Sequence, residues 1–429
     1  MLTIRNATLA DGRTVDVRVD TSAGRIAAVG STLTHSGDSI DATGKRLLPG
    51  MIDVHVHFRE PGFPHKETWE SGSRSAAAGG VTTVVDQPNT DPPTVDGAAF
   101  DRKADLAADS YVDYGINGGV TPDWNPDELF DRPTLALGEV FLADSTGEMR
   151  IEEDLFREAV ERATDEYRVV TVHAEDADLF DQSATDRAGD DYDAWSAYRT
   201  AEAEIAAVER AVEIGADLDA SIHVAHTSTP EGVDAATEGG ATCEVTPHHL
   251  FLSREDYEEL GTFGRMNPPL RSEARREALF ERVADGRVDV VATDHAPHTR
   301  EEKDADIWDA PSGVPGVETA LPLLLEQARK DNLSYERVRD LTAANPADAF
   351  GLTRKGRIEQ GLMADLVVVD PDESREIRGE RLHSNCEWTP FEGMAGVFPE
   401  LTMVRGQVVY EREEDGERFG DPVGENVRG

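Results

Sequence analysis

Gly50-Met51-Ile52-Asp53-Val54-His55-Val56-His57 is the stretch that says most about the fold of this 429-residue chain. A short apolar run that ends in polar residues is typical of a buried strand. Because strand side chains alternate with a period of two, His55 and His57 point to the same side. The stretch therefore predicts a buried strand that presents two imidazoles at its carboxyl end.

Similar short apolar runs recur along the chain, and helical patterns lie between them. The runs cover residues 81–85, 136–142, 169–173, 222–225, 242–246 and 288–293, and the helical patterns cover 67–78, 151–163, 201–214 and 273–284. Strand–helix alternation over this length is typical of a TIM barrel. We therefore predict an α/β fold with a (β/α)8 TIM barrel over residues 50–354.

The two ends of the chain have another pattern, in which short strands are separated by turn residues. Apolar and polar residues alternate in Val15-Asp16-Val17-Arg18-Val19, and further strands are predicted at 365–370 and 403–410. Strands from opposite chain ends can share one sheet. We predict that residues 1–49 together with 355–429 make a small β-sandwich domain formed by both chain ends.

Polar residues follow several of the apolar runs, at the place where TIM-barrel enzymes carry their catalytic groups. His55 and His57 end the first run, His173 and His226 come at the ends of two later runs, and Asp294 follows the last. Imidazole and carboxylate together are typical ligands of first-row metals, with zinc the first choice. The sequence therefore predicts a metal site at the mouth of the barrel. Six other histidines are predicted to be structural: His35, His65, His223, His248, His249 and His383.

The composition is strongly acidic, since 86 Asp and Glu residues oppose 42 Lys and Arg residues and give a net charge of −44. Nucleic acid and anionic membrane surfaces repel such a chain, so neither is predicted as a partner. The acidity is spread through the sequence, and periodic apolar stretches continue beneath it. It indicates an acidic surface adapted to high salt, where counterions screen the self-repulsion.

Two features favour a cytoplasmic location. No apolar run approaches the roughly 20 residues of a membrane span, and residues 1–20 lack the basic segment and apolar stretch of a signal peptide. The two cysteines, Cys243 and Cys386, are too few for a disulfide framework, which is typical of a reducing compartment.

The stretch at 50–57 resembles the first-strand signature of the amidohydrolase superfamily, and Phe58-Arg59-Glu60-Pro61-Gly62 is similar to the narrower dihydroorotase signature. Further matches to that family follow in order at residues 87–93, 223–229, 266–271, 292–298, 311–319 and 345–347. The resemblance covers nearly the whole chain. It implies a zinc-dependent cyclic amide hydrolase built on a TIM barrel.

The family pattern implies two zinc ions per subunit. By this resemblance His55, His57 and Asp294 bind the more buried ion, and His173 and His226 bind the other.

Family members usually bridge the two metals with a carboxylated lysine or an acidic residue on the fourth strand. Glu139 stands at the lysine position of this sequence, so it is the predicted bridging ligand. Asp144 is the alternative, because some members bridge through an aspartate a little further along. A third interpretation is that Glu139 only supports the ligands and that one metal suffices.

The activity implied by the resemblance is the reversible cyclisation of N-carbamoyl-L-aspartate to L-dihydroorotate plus water, a step of de novo pyrimidine (UMP) biosynthesis. In the hydrolytic direction a metal-bound hydroxide attacks the ring amide, and Asp294 carries its proton to the leaving nitrogen.

The substrate keeps one carboxylate that does not react, and this group needs a clamp. Arg59 directly follows the ligand strand and suits a bidentate carboxylate contact. By family resemblance Asn89 and His298 complete the clamp. Three further positions are implied to hold the ring amide and ureido groups: Asn267, Ser312 and Gly313.

Two other functions are alternatives to this one. Allantoinase and hydantoinase hydrolyse other cyclic ureides at similar metal sites, but Arg59 favours an acidic substrate. A non-catalytic scaffold of the dihydropyrimidinase-like kind typically lacks metal ligands, whereas the four histidines and Asp294 are all present here. The sequence does not fix the oligomeric state or association with other enzymes of the pathway.

Overall fold

The two chain ends meet in one sheet of the computed structural model, which describes residues 1–34, 37–143, 149–413 and 416–429. The N-terminal strands are β1 (Leu2–Thr8), β2 (Thr14–Asp20), β3 (Arg25–Gly30), β4 (Asp38–Asp41) and β5 (Arg46–Pro49). β2 pairs with β1 on one side and with β3 on the other, both antiparallel. The turn between β2 and β3 contains Gly24 at a φ of 67°, a conformation that glycine adopts readily.

Eight parallel strands within the described residues form the barrel. They are β6 (Met51–Val56), β7 (Val81–Asp86), β8 (Asp113–Ile116), β9 (Leu137–Phe141), β10 (Val170–His173), β11 (Ile222–Val224), β12 (Thr242–Val245) and β13 (Val290–Val291). They pair in chain order as two groups, β6 to β8 and β9 to β13. Parallel backbone bridges join Gly118 to Leu137 and Val56 to His295, and these two bridges connect the groups into a closed ring. The predicted (β/α)8 TIM barrel is confirmed.

β8 is the barrel strand that the apolar runs do not reveal. Its sequence, Asp113-Tyr114-Gly115-Ile116, contains a carboxylate and a glycine. Asp113 is nevertheless buried, because Lys355 Nζ lies 2.7 Å from its carboxylate. A strand whose polar residue is neutralised by a partner 242 positions away gives no apolar signal in the sequence.

Helices connect the barrel strands. They are α1 (Trp69–Ala78), α2 (Gly97–Ala107), α3 (Pro126–Phe130), α4 (Glu153–Asp165), α5 (Ala194–Tyr198), α6 (Ala201–Asp217), α7 (Pro230–Glu238), α8 (Pro247–Phe251), α9 (Tyr257–Leu260), α10 (Glu273–Asp285), α11 (Arg300–Lys303), α12 (Ala320–Arg329), α13 (Tyr335–Arg339) and α14 (Asn345–Ala349). The four predicted helices correspond to α1, α4, α6 and α10. α1 begins two residues later than predicted, because the Thr68 side chain caps it by accepting a hydrogen bond from the Ser71 N–H. No helix in the described part of the chain is both long and apolar enough to cross a membrane.

Four C-terminal strands complete the sheet of the chain ends: β14 (Leu366–Val369), β17 (Pro399–Val404), β18 (Gln407–Glu413) and β19 (Gly416–Phe419). Two further short strands, β15 (Arg375–Glu376) and β16 (Ala395–Gly396), pair with each other in a separate two-stranded sheet. β14 pairs antiparallel with β5 and so connects the C-terminal strands to the N-terminal ones. Leu47 and Val368 pack in the core of this sheet, whereas Leu48 and Val367 pack into the barrel core. The boundaries of the small β domain, residues 1–49 with 355–429, remain a prediction.

The acidic composition leads us to expect a stability that depends on salt. Like charges on the surface repel one another, and the Debye length falls from about 10 Å at 0.1 M salt to about 3 Å at 1 M. We expect the melting temperature in 1 M KCl to exceed that in 0.1 M KCl by more than about 5 °C. Circular dichroism at a fixed pH measures the difference, with sorbitol of equal osmolality as the uncharged control. Equal melting temperatures at the two salt concentrations would contradict the high-salt interpretation.

Candidate metal centre and substrate cavity

The five predicted metal ligands lie together at the carboxyl end of the barrel. His55 is on β6 and His57 follows it, His173 ends β10, and His226 and Asp294 follow β11 and β13. Asp294 Oδ1 lies 2.9 Å from His57 Nε2 and 3.6 Å from His55 Nε2. His173 Nδ1 lies 3.0 Å from His226 Nε2. The ligands therefore form two groups, one of three side chains and one of two.

Glu139, on β9, lies between these two groups. Its Oε1 lies 2.5 Å from His226 Nε2 and 3.0 Å from His173 Nδ1. Its Oε2 lies 3.4 Å from His55 Nε2 and 4.0 Å from His57 Nε2. One carboxylate oxygen thus faces each group, which is the arrangement of a bridging ligand.

Two of the histidines each contact a carboxylate on the side of the ring that faces away from the other ligands. His55 Nδ1 lies 2.5 Å from Glu244 Oε1, and His173 Nε2 lies 2.9 Å from Glu175 Oε2. Because an ionised carboxylate has no proton to give, the facing ring nitrogen carries the hydrogen. In the neutral imidazole the opposite nitrogen then carries a lone pair, and that nitrogen points into the site.

The bare ring nitrogens face carboxylates, which also carry lone pairs. The Asn89 amide oxygen lies 2.7 Å from His57 Nδ1, so His57 Nε2 is a second acceptor facing Asp294. Among the described residues His55 Nε2 has no hydrogen-bond partner, although it is buried. Acceptors that face acceptors repel unless a cation lies between them, and imidazole with carboxylate is the donor set of zinc. The side chains therefore fit a metal centre.

The charges of the two acidic residues support the same conclusion. Without a metal, positive charge on the imidazoles takes the place of the cation: burial favours the neutral form of Glu139, but the charge of His55 and His226 outweighs it and holds the pKa of Glu139 well below its usual range. Burial also opposes ionisation of Asp294, yet in the same metal-free state a hydrogen bond from His57 and the charge of the histidines leave its pKa lowered. Both carboxylates are therefore ionised at neutral pH, as metal ligands must be.

Glu244 and Glu175 are candidate site residues that sequence reasoning missed, since each contacts a predicted metal ligand. Glu244 also accepts from His223, whose Nε2 lies 3.1 Å from Glu244 Oε2, so a histidine predicted to be structural reaches the metal centre through it. The sequence did contain signals for both. Glu244 is a carboxylate inside the apolar run 242–246, and Glu175 follows His173 at the strand period of two.

Two residues considered from the sequence cannot be placed in this way. Asp144, the alternative bridging ligand, and His35 lie outside the described residues. The ring of His249 agrees with the structural role predicted for it, since its nitrogens lie 2.8 Å from Thr246 Oγ1 and 2.9 Å from the Pro268 carbonyl oxygen.

Three residues of the site have a left-handed backbone conformation without being glycine. The φ angles are 63° at Arg59, 34° at His226 and 46° at Asp294. Such a conformation costs about 1–3 kcal/mol and persists only where the surroundings impose it. Such residues cluster at sites where side-chain direction matters, which agrees with the position of these three.

A small cavity lies beside the metal ligands. Five of the six predicted substrate-binding residues line it: Arg59, Asn89, Asn267, Ser312 and Gly313. The sixth, His298, adjoins them, with Nε2 3.0 Å from the Ser312 carbonyl oxygen and 3.1 Å from Arg59 Nη2. The structure thus brings all six together.

Arg59 is a buried cation at the edge of this cavity, with 3% of its surface exposed. Its Nε donates to the Pro297 carbonyl at 3.1 Å, and within the described part of the chain no carboxylate forms an ion pair with it. Burial lowers its pKa to about 10, which still leaves it charged at neutral pH. Since a buried charge without a counterion is costly, the cavity is suited to an anionic ligand.

Comparison with known proteins identifies the family of the chain. A model of the amidohydrolase family matches residues 46–409. A dihydroorotase of Halobacterium salinarum is 69% identical over 431 aligned residues, which cover 100% of both chains. A dihydroorotase of Methanosarcina acetivorans is 47% identical, with 90% of this chain and 87% of that protein aligned.

A solved structure is similar to this chain over the same extent. An L-hydantoinase (dihydropyrimidinase) from Arthrobacter aurescens superposes with a TM-score of 0.93 at 29% sequence identity, and 99% of each chain is covered. The similarity therefore extends over the barrel and both chain ends.

Proposed function

This chain belongs to the amidohydrolase family, and we propose that it is a dihydroorotase, which interconverts N-carbamoyl-L-aspartate and L-dihydroorotate. The observation that carries the proposal is the buried guanidinium of Arg59 at the cavity beside the metal ligands. Both substrates keep a carboxylate that does not react, so their enzyme needs a cation that binds without reacting. Neutral cyclic ureides such as hydantoin and allantoin carry no such group.

Six side chains at the mouth of the barrel would hold two zinc ions: His55, His57, Asp294, Glu139, His173 and His226. When bound, two such ions polarise the reacting carbonyl and lower the pKa of a shared water. Glu244 and Glu175 fix the ring orientations of two of the histidines, and such supporting contacts raise the basicity of the ligands.

Asp294 is the residue placed to move the proton. It lines the cavity, and its lowered pKa keeps it ionised. In hydrolysis the ring C–N bond breaks, water supplies a hydroxyl group to the carbon, and Asp294 delivers the remaining proton to the nitrogen. In cyclisation Asp294 takes a proton from the ureido nitrogen as that nitrogen attacks the side-chain carboxyl group. The C–O bond of that group then breaks, and its hydroxyl leaves with the proton from Asp294 as water.

The substrate would be oriented by its unreacting carboxylate and by its ring. Arg59 and His298 offer N–H groups to the carboxylate. Asn89 lines the cavity with Arg59, and its amide oxygen lies 2.7 Å from His57 Nδ1. Asn267 and Ser312, whose Oδ1 and Oγ lie 3.2 Å apart, adjoin the region of the ring.

The proposal is tested with metal-loaded protein in molar salt. L-Dihydroorotate, allantoin and hydantoin are supplied separately, and bound zinc is measured in the same preparation. We expect turnover of L-dihydroorotate at the highest kcat/KM together with about two zinc ions per chain. A higher kcat/KM for either neutral ureide would reject the proposal, and protein that binds no metal would favour the scaffold alternative.

The role of Arg59 predicts the effect of Arg59→Lys. Lysine keeps the charge but lacks the planar fork that makes two parallel hydrogen bonds to a carboxylate. We expect kcat/KM for L-dihydroorotate to fall about 100-fold, with zinc content unchanged. Arg132→Lys is the control, since Arg132 forms a comparable two-nitrogen contact with Asp101 on the surface. Unchanged kcat/KM in Arg59→Lys would place the carboxylate elsewhere.

The cellular setting remains a prediction. The two cysteines, Cys243 and Cys386, are unpaired and buried, which agrees with a reducing cytoplasm. The predicted partner is the small-molecule substrate.

A further inference from the structure

Lys66 is a second cation near the substrate cavity. It precedes α1, and its Nζ lies 3.1 Å from Nδ1 of His298, a residue 232 positions away in the chain. It also contacts Glu302, whose Oε1 lies 3.2 Å from Nζ, and the ring of Phe63, whose centroid lies 5.1 Å from Nζ. Only 13% of the Lys66 side chain is exposed. The ammonium therefore lies against the nitrogen of His298 that is opposite to the substrate clamp.

The contact with Lys66 determines which nitrogen of His298 carries the hydrogen. Lys66 at Nδ1 and Arg59 at Nε2 both only donate, but among the described residues only Nε2 has an acceptor within hydrogen-bond distance, so Nδ1 accepts from Lys66 and the hydrogen is on Nε2. Nε2 then donates to the Ser312 carbonyl oxygen, 3.0 Å away. Burial and the neighbouring charge of Arg59 keep the pKa of His298 well below its usual range, so the ring is neutral and has this single hydrogen.

This assignment places two donors side by side. Arg59 Nη2 lies 3.1 Å from His298 Nε2, and both atoms then carry hydrogens. Neighbouring donors repel unless an anion accepts from both of them. The pair therefore matches a carboxylate that accepts from Arg59 and shares the single Nε2 hydrogen of His298 with the Ser312 carbonyl oxygen.

We propose that Lys66 is a positioning residue for the substrate carboxylate, because its ammonium keeps His298 in the form that donates through Nε2. This inference rests on the proposed dihydroorotase activity for the identity of the carboxylate. Without Lys66 we expect the hydrogen of His298 to shift from Nε2 toward Nδ1. The Ser312 carbonyl oxygen still favours a hydrogen on Nε2, but Glu302 Oε2, 3.8 Å from Nδ1, attracts it to the other nitrogen, and Arg59 can then donate to Nε2.

A purely structural role for Lys66 predicts something different. Lys66 would then serve only as a tether through its ion pair with Glu302, and loss of either partner would have the same effect. Glu302→Gln separates the two roles. It removes the ion pair, but its amide oxygen can still accept from the Thr299 N–H, as Glu302 Oε2 does at 2.9 Å.

The experiment compares Lys66→Met, Lys66→Arg and Glu302→Gln in the zinc-loaded enzyme. Lys45→Met is the matched control, because Lys45 forms ion pairs with Asp370 and Glu400 in the sheet of the chain ends. The first measurement is kcat and KM for L-dihydroorotate. The second is the ¹⁵N spectrum of histidine-labelled protein, in which His298→Gln identifies the signals of His298 and their shifts identify the protonated nitrogen.

We expect Lys66→Met to raise KM about tenfold, with kcat within about threefold of the parent. In its spectrum the hydrogen of His298 should move toward Nδ1. Lys66→Arg retains a group that only donates, so it should restore the parent spectrum and most of the KM. Glu302→Gln and Lys45→Met should leave both measurements unchanged.

Two results would overturn the proposal. One is an Nε2-protonated His298 in Lys66→Met, and the other is a KM for Glu302→Gln that rises as much as that of Lys66→Met. The spectrum does not depend on turnover, so the proposed dihydroorotase activity and the proposed role of Lys66 can be rejected independently of each other. Parent enzyme without dihydroorotase activity would reject the proposed function, while its His298 signals would still report on Lys66.

Discussion

Asp294→Asn is expected to abolish turnover of L-dihydroorotate in both directions, with kcat falling by roughly 10³–10⁴-fold or more. The amide has almost the same shape as the carboxylate, but it cannot accept and return a proton. It is also neutral, so the Asp294 oxygen that faces His57 at 2.9 Å and His55 at 3.6 Å would no longer attract a metal ion. Initial rates with each substrate, together with zinc content, measure the effect.

Asp96→Asn is the control for this substitution. Asp96 caps α2 by accepting from the Ala99 N–H, and asparagine caps a helix about as well as aspartate. The same chemical change at that position should therefore leave activity unchanged. More than about one per cent of parent activity in Asp294→Asn would be incompatible with a general acid–base role for this residue.

Glu139→Gln is expected to remove at least one of the two zinc ions. The change takes away the negative charge whose oxygens face His226 at 2.5 Å and His55 at 3.4 Å. Loss of a contact that only supports a ligand costs 10–100-fold in metal affinity, so loss of a direct ligand should cost more than about 100-fold. Zinc per chain after dialysis against a competing chelator measures the effect.

Asp144→Asn is the contrasting variant, and it should retain both metals if Glu139 is the bridge. Bicarbonate provides a second comparison. A carboxylated lysine forms reversibly from carbon dioxide, whereas Glu139 carries its carboxylate permanently. Restoring zinc to the metal-free protein should therefore proceed equally well with and without bicarbonate. If Asp144→Asn loses zinc and Glu139→Gln does not, Asp144 is the bridging ligand.

The sequence alone determined the barrel and the place of the metal ligands. Apolar runs recur at intervals that strands and helices impose, and those runs end at His55, His57, His173, His226 and Asp294. Because parallel strands of a closed barrel all end at the same rim, residues far apart in the chain are certain to meet there. The family resemblance then supplied Glu139 and the substrate clamp, and the structure brings these residues to the same rim.

Other parts of the site follow from contacts that no local pattern encodes. Glu244 faces His55 across 189 positions, and Lys66 faces His298 across 232. The polar strand β8 depends in the same way on Lys355. A local pattern reflects only whether a side chain is buried or exposed within its own element. These polar side chains are stable in the interior because each has a partner from another strand or loop. The sequence thus determined which residues reach the rim, and only the tertiary structure decided which nitrogen of each histidine points to the metals or the substrate.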